Sequence, residues 1–244
     1  MEYTKKEGMD EIEKVVFAIP VFNAYNYLVG CLDSLDRSYP ANTIILVNDA
    51  STDPRIWQHF EAYKSLRSRK TILANRSQRG WFTRAANTAL KLALAETEKW
   101  LVILNSDCVV DPGSLEEMFS LWGELEQQGK TIGLMGCEGP QPRSHARYAE
   151  KVEPGYVTGH FYLFKKEFFI KEGFRFPQED GEVSGFTAQG LFHIASDRAL
   201  SYWMNRRGFS TIASYWAGVG HHGGRSWDHN VGALSQVRAT TLRD

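Results

Sequence analysis

Two aspartates follow apolar runs typical of buried strands, and their positions allow metal and nucleotide chemistry. Asp107 ends the segment WLVILNSD, where a carboxylate can hold Mg²⁺ or Mn²⁺ against a phosphate, because both ions prefer oxygen ligands. Asp49 ends the segment IILVND, where a carboxylate can accept a hydrogen bond from a nucleobase or a ribose. Both residues also have purely structural interpretations: Asp107 could simply end its strand, and Asp49 could cap the next helix.

Three further groups have side chains that could bind ions or accept a proton. His221 and His222 lie in a glycine-rich stretch and could bind Mn²⁺ or Zn²⁺. A histidine pair of this kind more often lies on the surface or only packs against neighbouring side chains. Asp197 begins a predicted helix and could be a general base, or could only stabilise the helix dipole. The third group is basic and lies at the start of a predicted helix, whose N-terminus could bind an anion. Alternatively, the charges of this group are simply solvated in a loop. Its members are Arg76, Arg79 and Arg84, which flank Gly80.

The composition is that of an ordinary globular protein. The chain has 244 residues, of which 43% are hydrophobic and 23% charged, and this excludes a disordered protein. The net charge is −1, so no broad basic field for nucleic acid is expected. Three scattered cysteines without a CxxC motif argue against disulfides and a thiolate zinc site. Without a signal peptide or a bilayer-length apolar run, we expect a cytoplasmic protein, for which peripheral attachment to the inner face of a membrane stays open.

Strands and helices alternate in the first half of the chain. Strands are predicted at 15–19, 43–47, 71–74, 100–104 and 132–137. Four helices are predicted: the first follows Asn23, the second ends at about residue 67, the third covers 81–97 and the fourth begins at 114. Continuous apolar strands separated by helices predict an α/β fold with a parallel sheet covered on both faces. Ligands bind beyond the carboxyl ends of such strands. We expect Asn23 to cap the first helix, and Asp53 or Thr52 to cap the second.

The second half is less regular. An aromatic run at 156–164, interrupted by Gly159, is typical of a strand, and a helix is predicted from Ser196 to a stop at Gly208. Residues 181–189 have the composition of a mobile active-site lid. The segment from Gly218 onward is rich in glycine and histidine and is expected to form a loop.

Four motifs occur in a fixed order over about residues 15–121: IPVFNAYNYLVGCLDSL, IILVNDASTD, NRSQRGWFTRAANTAL and WLVILNSDCVVDPG. Together they resemble the nucleotide-sugar-binding half of GT-A-fold, family 2 glycosyltransferases. A weaker resemblance to the acceptor-side half, especially of the rhamnosyltransferase-like branch, continues through VTGHFYLFKKEFFIKEGF and SDRALSYWMNRRGF to GVGHHGG. The resemblance implies one GT-A domain over residues 1–244, with a Rossmann-like nucleotide-binding sheet over about 14–137 and an irregular acceptor-side half over about 138–244.

The resemblance also implies roles for individual residues. The donor-binding set is Pro20, Val21, Asn23, Asp49, Arg79, Gly80, Arg84, Asn105, Ser106, Gly159 and His160. In the family's DxD-type motif the first Asp is Asn105 here, so Asp107 would be the metal ligand and His221 or His222 would complete the metal shell. Asp197 aligns with the Asp of the family's Glu-Asp pair, the catalytic base, with Ser196 in place of the Glu.

The implied reaction is an inverting transfer from a nucleoside-diphosphate sugar, with Mn²⁺ or Mg²⁺ the expected cofactor. UDP, dTDP, GDP and CDP are all candidate nucleotides, because these residues do not identify the donor base or the donor sugar. The acceptor would be a hydroxyl of a growing polysaccharide, of a lipid-linked glycan or of another molecule. Glu179-Asp180 is rejected as the base, because the family's pair opens a helix that ends in a Gly-aromatic step, as 196–209 does.

Two alternatives remain. The missing Glu before Asp197 permits a catalytically inactive module that binds a nucleotide sugar or a carbohydrate. A glycosyltransferase that acts on modified DNA would need a basic face. Such a face could be formed by Arg143, Arg147, Lys151, Lys165 and Lys166. A sugar nucleotidyltransferase is disfavoured, because PVFNAYNYLV is not the glycine-rich basic loop that such enzymes carry after the first strand.

Overall fold

The computed structural model describes residues 12, 14–138, 146–152, 155–173, 176 and 200–222, which form an eight-stranded sheet with helices and a two-stranded ribbon. The strands are β1 (Val15–Val21), β2 (Thr43–Asn48), β3 (Thr71–Asn75), β4 (Trp100–Leu104), β5 (Cys108–Val110), β6 (Ile132–Cys137), β7 (Tyr148–Glu150), β8 (Phe161–Lys165), β9 (Ser210–Ser214) and β10 (Val219–His221). The helices are α1 (Tyr25–Ser38), α2 (Pro54–Leu66), α3 (Trp81–Leu94), α4 (Ser114–Gln127) and α5 (Lys166–Glu172), and residues 200–206 are also helical.

The large sheet has the strand order β3-β2-β1-β4-β8-β6-β9-β7. Strands β1 to β4 are parallel, as the sequence predicts, and β6 and β9 are parallel to each other. Strand β8 lies between β4 and β6 and is antiparallel to both, while β7 forms an antiparallel edge on β9. The α/β prediction is therefore confirmed, and the second half of the chain adds the antiparallel strands.

The apolar runs of the first half reflect burial on both faces of the sheet. In β1, Phe17 and Ile19 belong to the core under α1, α2 and α4, whereas Val16 and Ala18 belong to the core under α3. All four side chains are fully buried. A central strand covered on both sides has no polar face, which is why its sequence shows no alternation.

The cap of the first helix differs from the prediction. Helix α1 begins after Ala24, which has a left-handed φ of 57° and makes no side-chain cap. The Asn23 side chain instead accepts hydrogen bonds from the backbone N–H groups of Thr52 and Asp53. Asp53 caps α2 as predicted, by accepting from the N–H of Arg55. Asn23 therefore joins the first turn to the second, and the prediction that it caps its own helix is wrong.

The prediction of a loop after Gly218 is also wrong in part. Val219–His221 form β10, which pairs antiparallel with β5, a strand that the sequence did not indicate. Gly159 and His160 lie in a turn before β8 rather than inside a strand. Residues 200–206 are helical and Gly208 has a φ of 78°, in agreement with the predicted stop. Ser196, Asp197, the pair Glu179-Asp180, Arg143 and the lid at 181–189 lie outside the described residues.

Within the described ranges, no helix has the combination of length and apolar character that crossing a bilayer would require.

Gly136 tests the packing between β6 and the segment before β8. A Cβ at this position would overlap Cγ1 of Val157 and lie 2.9 Å from the carbonyl oxygen of Phe161. We expect Gly136→Ala to lower the free energy of unfolding by about 1–3 kcal/mol in urea titrations, because the backbone must shift. Gly30→Ala is the control, because nothing lies within 4 Å of the Cβ position of Gly30 in α1. This substitution should raise the free energy of unfolding by about 0.5–1 kcal/mol. Equal effects of the two substitutions would contradict this packing.

Candidate active site

Asp107 lies in the turn between β4 and β5, and its carboxylate is buried. The antiparallel pairing of β10 with β5 places His221 opposite Cys108. His221 Nε2 is consequently 3.3 Å from Asp107 Oδ1. The neighbouring His222 donates its backbone N–H to the carbonyl oxygen of Asp107, while its ring lies 5.0 Å from the ring of Tyr27. Of the two histidines that the sequence left undecided, His221 is the one whose imidazole faces Asp107.

The donor atoms around Asp107 fit a divalent cation. A carboxylate oxygen of Asp107, a ring nitrogen of His221 and Sγ of Cys108 all lie within 4.8 Å of one another. Carboxylate and imidazole are both ligands of Mn²⁺, and a carboxylate also suits Mg²⁺. The His221 side chain is 27% exposed, so an ion can enter from that side.

His160 forms the back of this cluster. Its ring stacks on His221, with centroids 4.7 Å apart and planes at 8°. Burial, and secondarily the nearby His221, lowers the pKa of His160 to about 4, so its ring is neutral at neutral pH. Its carbonyl oxygen accepts the N–H of Asn105 at 2.9 Å. This bond joins the 159–160 turn to the turn that contains Asp107, and the neutral ring adds no charge that would repel a cation.

Asp49 fixes the turn that precedes α3. Its two carboxylate oxygens accept the N–H of Gly80 at 2.9 and 3.0 Å, and Oδ1 lies 2.8 Å from Nε of Arg76. Burial raises the pKa of Asp49, while Gly80 and Arg76 act in the opposite direction. We call Asp49, Arg76 and Gly80 the Asp49 latch. The carboxylate predicted to meet a base is thus already bonded within the protein.

Beside the latch, Arg79 lies between two aromatic rings. Its guanidinium carbon is 3.9 Å from the centroid of Phe22 and 3.8 Å from that of Trp81, which is a favourable cation–π geometry. Burial lowers the pKa of Arg79. Trp81 has a φ of 58° and is 46% exposed. A left-handed conformation at a bulky residue is strained by roughly 1–3 kcal/mol and is typical of functional sites.

Five of the predicted donor-binding residues meet in one narrow cleft. The residues that line it are Pro20, Val21, Phe22, Asp49, Phe82, Ala85, Asn105 and Ser106. Its volume is about 10 Å³, which is room for roughly one water molecule. The cleft is therefore too small to hold a nucleobase as it stands.

The remaining predicted donor residues are not among those that line this cleft. Asn23 lines a separate, open pocket of about 380 Å³ together with Ala24, Tyr25, Asn26, Tyr27, Thr52, Asp53 and Arg55. Arg84 is exposed in the first turn of α3, and its carbonyl oxygen accepts from Nη1 of Arg76. Gly159 and His160 belong to the Asp107 side, through the stack on His221.

Two participants were missed from the sequence. Cys108 directly follows Asp107, and this adjacency was the available signal. Arg76 was noted only as one of three flanking arginines, and nothing in its spacing predicts a pairing with Asp49.

The Asp49 latch can be tested without a ligand. Asp49→Asn removes the charge that holds Arg76 and weakens the acceptor for Gly80, so we expect a loss of about 1–3 kcal/mol in stability. Amide exchange at Gly80 should become faster, as measured by NMR or mass spectrometry. Asp53→Asn is the matched control, because Asn caps a helix as well as Asp does. Unchanged exchange at Gly80 in Asp49→Asn would show that the latch does not hold this turn.

Comparison with known proteins supports one family. Residues 16–188 match the model of a family described as glycosyl transferase family 2. Glycosyltransferase GlyG from Streptococcus pneumoniae serotype 4 (strain ATCC BAA-334 / TIGR4) is 30% identical over 112 residues, which are 46% of this chain and 35% of GlyG. The match thus spans about a third of that relative's length.

Solved structures share the fold at low sequence identity. Mannosyltransferase PcManGT from Pyrobaculum calidifontis, in complex with GDP-Man and Mn²⁺, has a TM-score of 0.59 at 21% identity, covering 95% of this chain and 64% of that one. S. aureus TarS in complex with UDP-GlcNAc has a TM-score of 0.57 at 15% identity, and the match covers 85% of this chain and 60% of that one. The family match extends over well more than half of the sequence, so the chain belongs to glycosyl transferase family 2 and has the GT-A fold.

Proposed function

We propose that this protein transfers a sugar from a nucleoside-diphosphate sugar to an acceptor hydroxyl, with inversion at the anomeric carbon. The observation that carries the proposal is the buried Asp107 carboxylate at the end of β4, with His221 Nε2 at 3.3 Å. Membership of glycosyl transferase family 2 supports it. So do the GDP-Man and Mn²⁺ in the PcManGT structure and the UDP-GlcNAc in the TarS structure.

Asp107 and His221 would hold the divalent cation, Mn²⁺ or Mg²⁺. When bound, such an ion offsets the negative charge that develops on the diphosphate leaving group. We assign the second ligand to His221 rather than His222, because the His222 ring packs against Tyr27. The stacked, neutral His160 would orient the His221 ring without competing for the ion.

The nucleoside would enter the narrow cleft between the ends of β1, β2 and β4. Phe22 lines this cleft and Arg79 covers the Phe22 ring, so displacement of Arg79 would expose an apolar face for a base. The freed guanidinium could then bind the diphosphate, whose oxygens suit its fork of donors. A base N–H could still share Asp49, because each carboxylate oxygen has two lone pairs.

The base that activates the acceptor would be Asp197, on the resemblance of its sequence to the family motif. The acceptor hydroxyl loses its proton to this carboxylate while its oxygen attacks C1 of the donor sugar. The bond from C1 to the diphosphate breaks in the same step, which inverts the configuration. A UDP-hexose or UDP-deoxyhexose donor and a glycan acceptor are part of this proposal.

The charges on the surface favour a glycan over DNA as the acceptor. Arg147 pairs with Glu117 and Glu124, both at 2.5 Å, so its charge is already balanced. Lysines 151 and 165 also have carboxylate partners, and the buried Lys166 donates to two backbone carbonyls. Among the described residues, the basic face that DNA binding would need is therefore largely neutralised.

Ligand-induced stabilisation tests the donor site. UDP, dTDP, GDP and CDP and their common sugars are compared in thermal shift assays, with and without Mn²⁺. A donor at roughly 100 times its Kd should stabilise the native state by about 2.7 kcal/mol, and only when the metal is present. Asp107→Asn should abolish the metal-dependent part, whereas Asp111→Asn, an exposed carboxylate at the end of β5, should not. Absence of any nucleotide effect in the wild type would refute the transferase proposal.

Catalysis and binding are separated by Asp197→Asn. The variant should bind donor and metal as the wild type does, while its turnover falls by about 10²–10⁴-fold, because the proton acceptor is lost. Turnover is measured by release of nucleoside diphosphate, with Asp111→Asn again as the control. Full activity in Asp197→Asn would assign the base elsewhere. Donor binding without turnover in the wild type, with any acceptor offered, would favour the inactive module.

A further inference from the structure

The Asp107 cluster contains a thiol in addition to the carboxylate and the imidazole. Sγ of Cys108 lies within 4.8 Å of both the Asp107 oxygen and the His221 nitrogen. Hard ions such as Mg²⁺ and Mn²⁺ make little use of a thiol, whereas Zn²⁺, Cd²⁺ and Co²⁺ bind thiolates well. We propose that Asp107, Cys108 and His221 form a binding site for a thiophilic divalent cation, which the protein takes up without nucleotide.

The distances suit a tetrahedral ion. Two ligands at about 2.0–2.1 Å from a zinc ion lie roughly 3.3 Å apart, and His221 Nε2 and Asp107 Oδ1 are 3.3 Å apart. A sulfur ligand at about 2.3 Å would lie roughly 3.5 Å from the other two. Sγ lies within 4.8 Å of both atoms and would approach them to reach this position. Three protein ligands leave a fourth position open to water, on the side where His221 is exposed.

The thiol has no bond that prevents metal binding. Its S–H group points to the carbonyl oxygen of His160 at 3.4 Å, a long hydrogen bond. On metal binding, the S–H proton leaves to water and the thiolate electron pair forms the bond to the ion, with no change of oxidation state. The His160 carbonyl keeps the N–H of Asn105 as its donor, so no backbone acceptor is left unsatisfied.

The family resemblance predicts Asp107 and one of the two histidines as metal ligands, but it does not predict a thiol ligand, because the site combines two distant segments. Asp107 and Cys108 are adjacent, and His221 reaches them only through the pairing of β10 with β5. The absence of a CxxC motif therefore does not exclude a thiolate ligand here. An ion bound to Asp107 also competes with Mn²⁺ for that carboxylate. This competition rests on the proposed function, whereas the uptake of a thiophilic ion does not.

The test uses the full chain without nucleotide and Cd²⁺ as the probe. Wild-type protein should show the ultraviolet charge-transfer band of a Cd²⁺–thiolate bond, saturating at one equivalent, with release of the thiol proton to a weak buffer. Cys108→Ser should abolish the band and lower the affinity by at least about 10–100-fold, the loss that even an outer-shell change causes. Cys31→Ser and Cys137→Ser, also buried thiols, are the matched controls and should keep the band. Mg²⁺ should produce no band.

A second variant guards against misfolding of the buried Cys108→Ser. His221→Ala changes a partly exposed side chain and should lower Cd²⁺ affinity by a similar factor while circular dichroism stays that of the wild type. A band that persists in Cys108→Ser, or that disappears in Cys31→Ser, would overturn the proposal. So would Cd²⁺ affinity that His221→Ala leaves unchanged. Because no nucleotide is present, these results stand whether or not the donor site is correct.

Discussion

The pairing of two three-residue strands, β5 and β10, is the interaction on which the candidate site depends. It places His221 opposite Cys108 and Val219 opposite Val110. The ladder continues beyond both ends, since the N–H of His222 donates to the carbonyl of Asp107 at 3.0 Å and that of Asp111 to Gly218 at 2.8 Å. Short strands contribute little alone, so these flanking bonds fix the register. A shift by one residue would turn the His221 side chain away from the Asp107 side of the ribbon.

The opposite side of the cleft depends on a carboxylate with two tasks. Asp49 holds Gly80 and Arg76, and by doing so it stabilises the strained backbone of Trp81 and the stacked Arg79. A base N–H that used a remaining lone pair of Asp49 would weaken the bonds of this carboxylate to Gly80 and Arg76. Part of the binding energy of the donor would then be used to move Arg79. Strain held by the surrounding structure in this way lowers the cost of a local rearrangement, as expected at a binding site.

The first half of the fold was predictable from the sequence, and the reason is burial. The strands from β1 to β4 are covered on both faces, so their apolar runs are continuous and their carboxyl ends converge, which brings Asp49, Asn105 and Ser106 to one cleft. Strands β5 and β10 were not predictable, because three residues show no periodicity. The bonds of Asn23 to the second loop have no local signal either. The domain division, the role of Asp197 and the lid at 181–189 stay predictions.

The choice of metal ion would then depend on the donor. Without nucleotide, the carboxylate, imidazole and thiol of Asp107, His221 and Cys108 form a set that favours a thiophilic ion. Diphosphate oxygens are hard ligands, so a bound donor shifts the preference toward Mn²⁺ or Mg²⁺. By thermodynamic linkage, an ion bound through the thiolate changes the affinity for the donor by the same factor by which the donor changes the affinity for that ion. The thiol of Cys108 would thereby make donor binding sensitive to the concentration of thiophilic metal ions in solution.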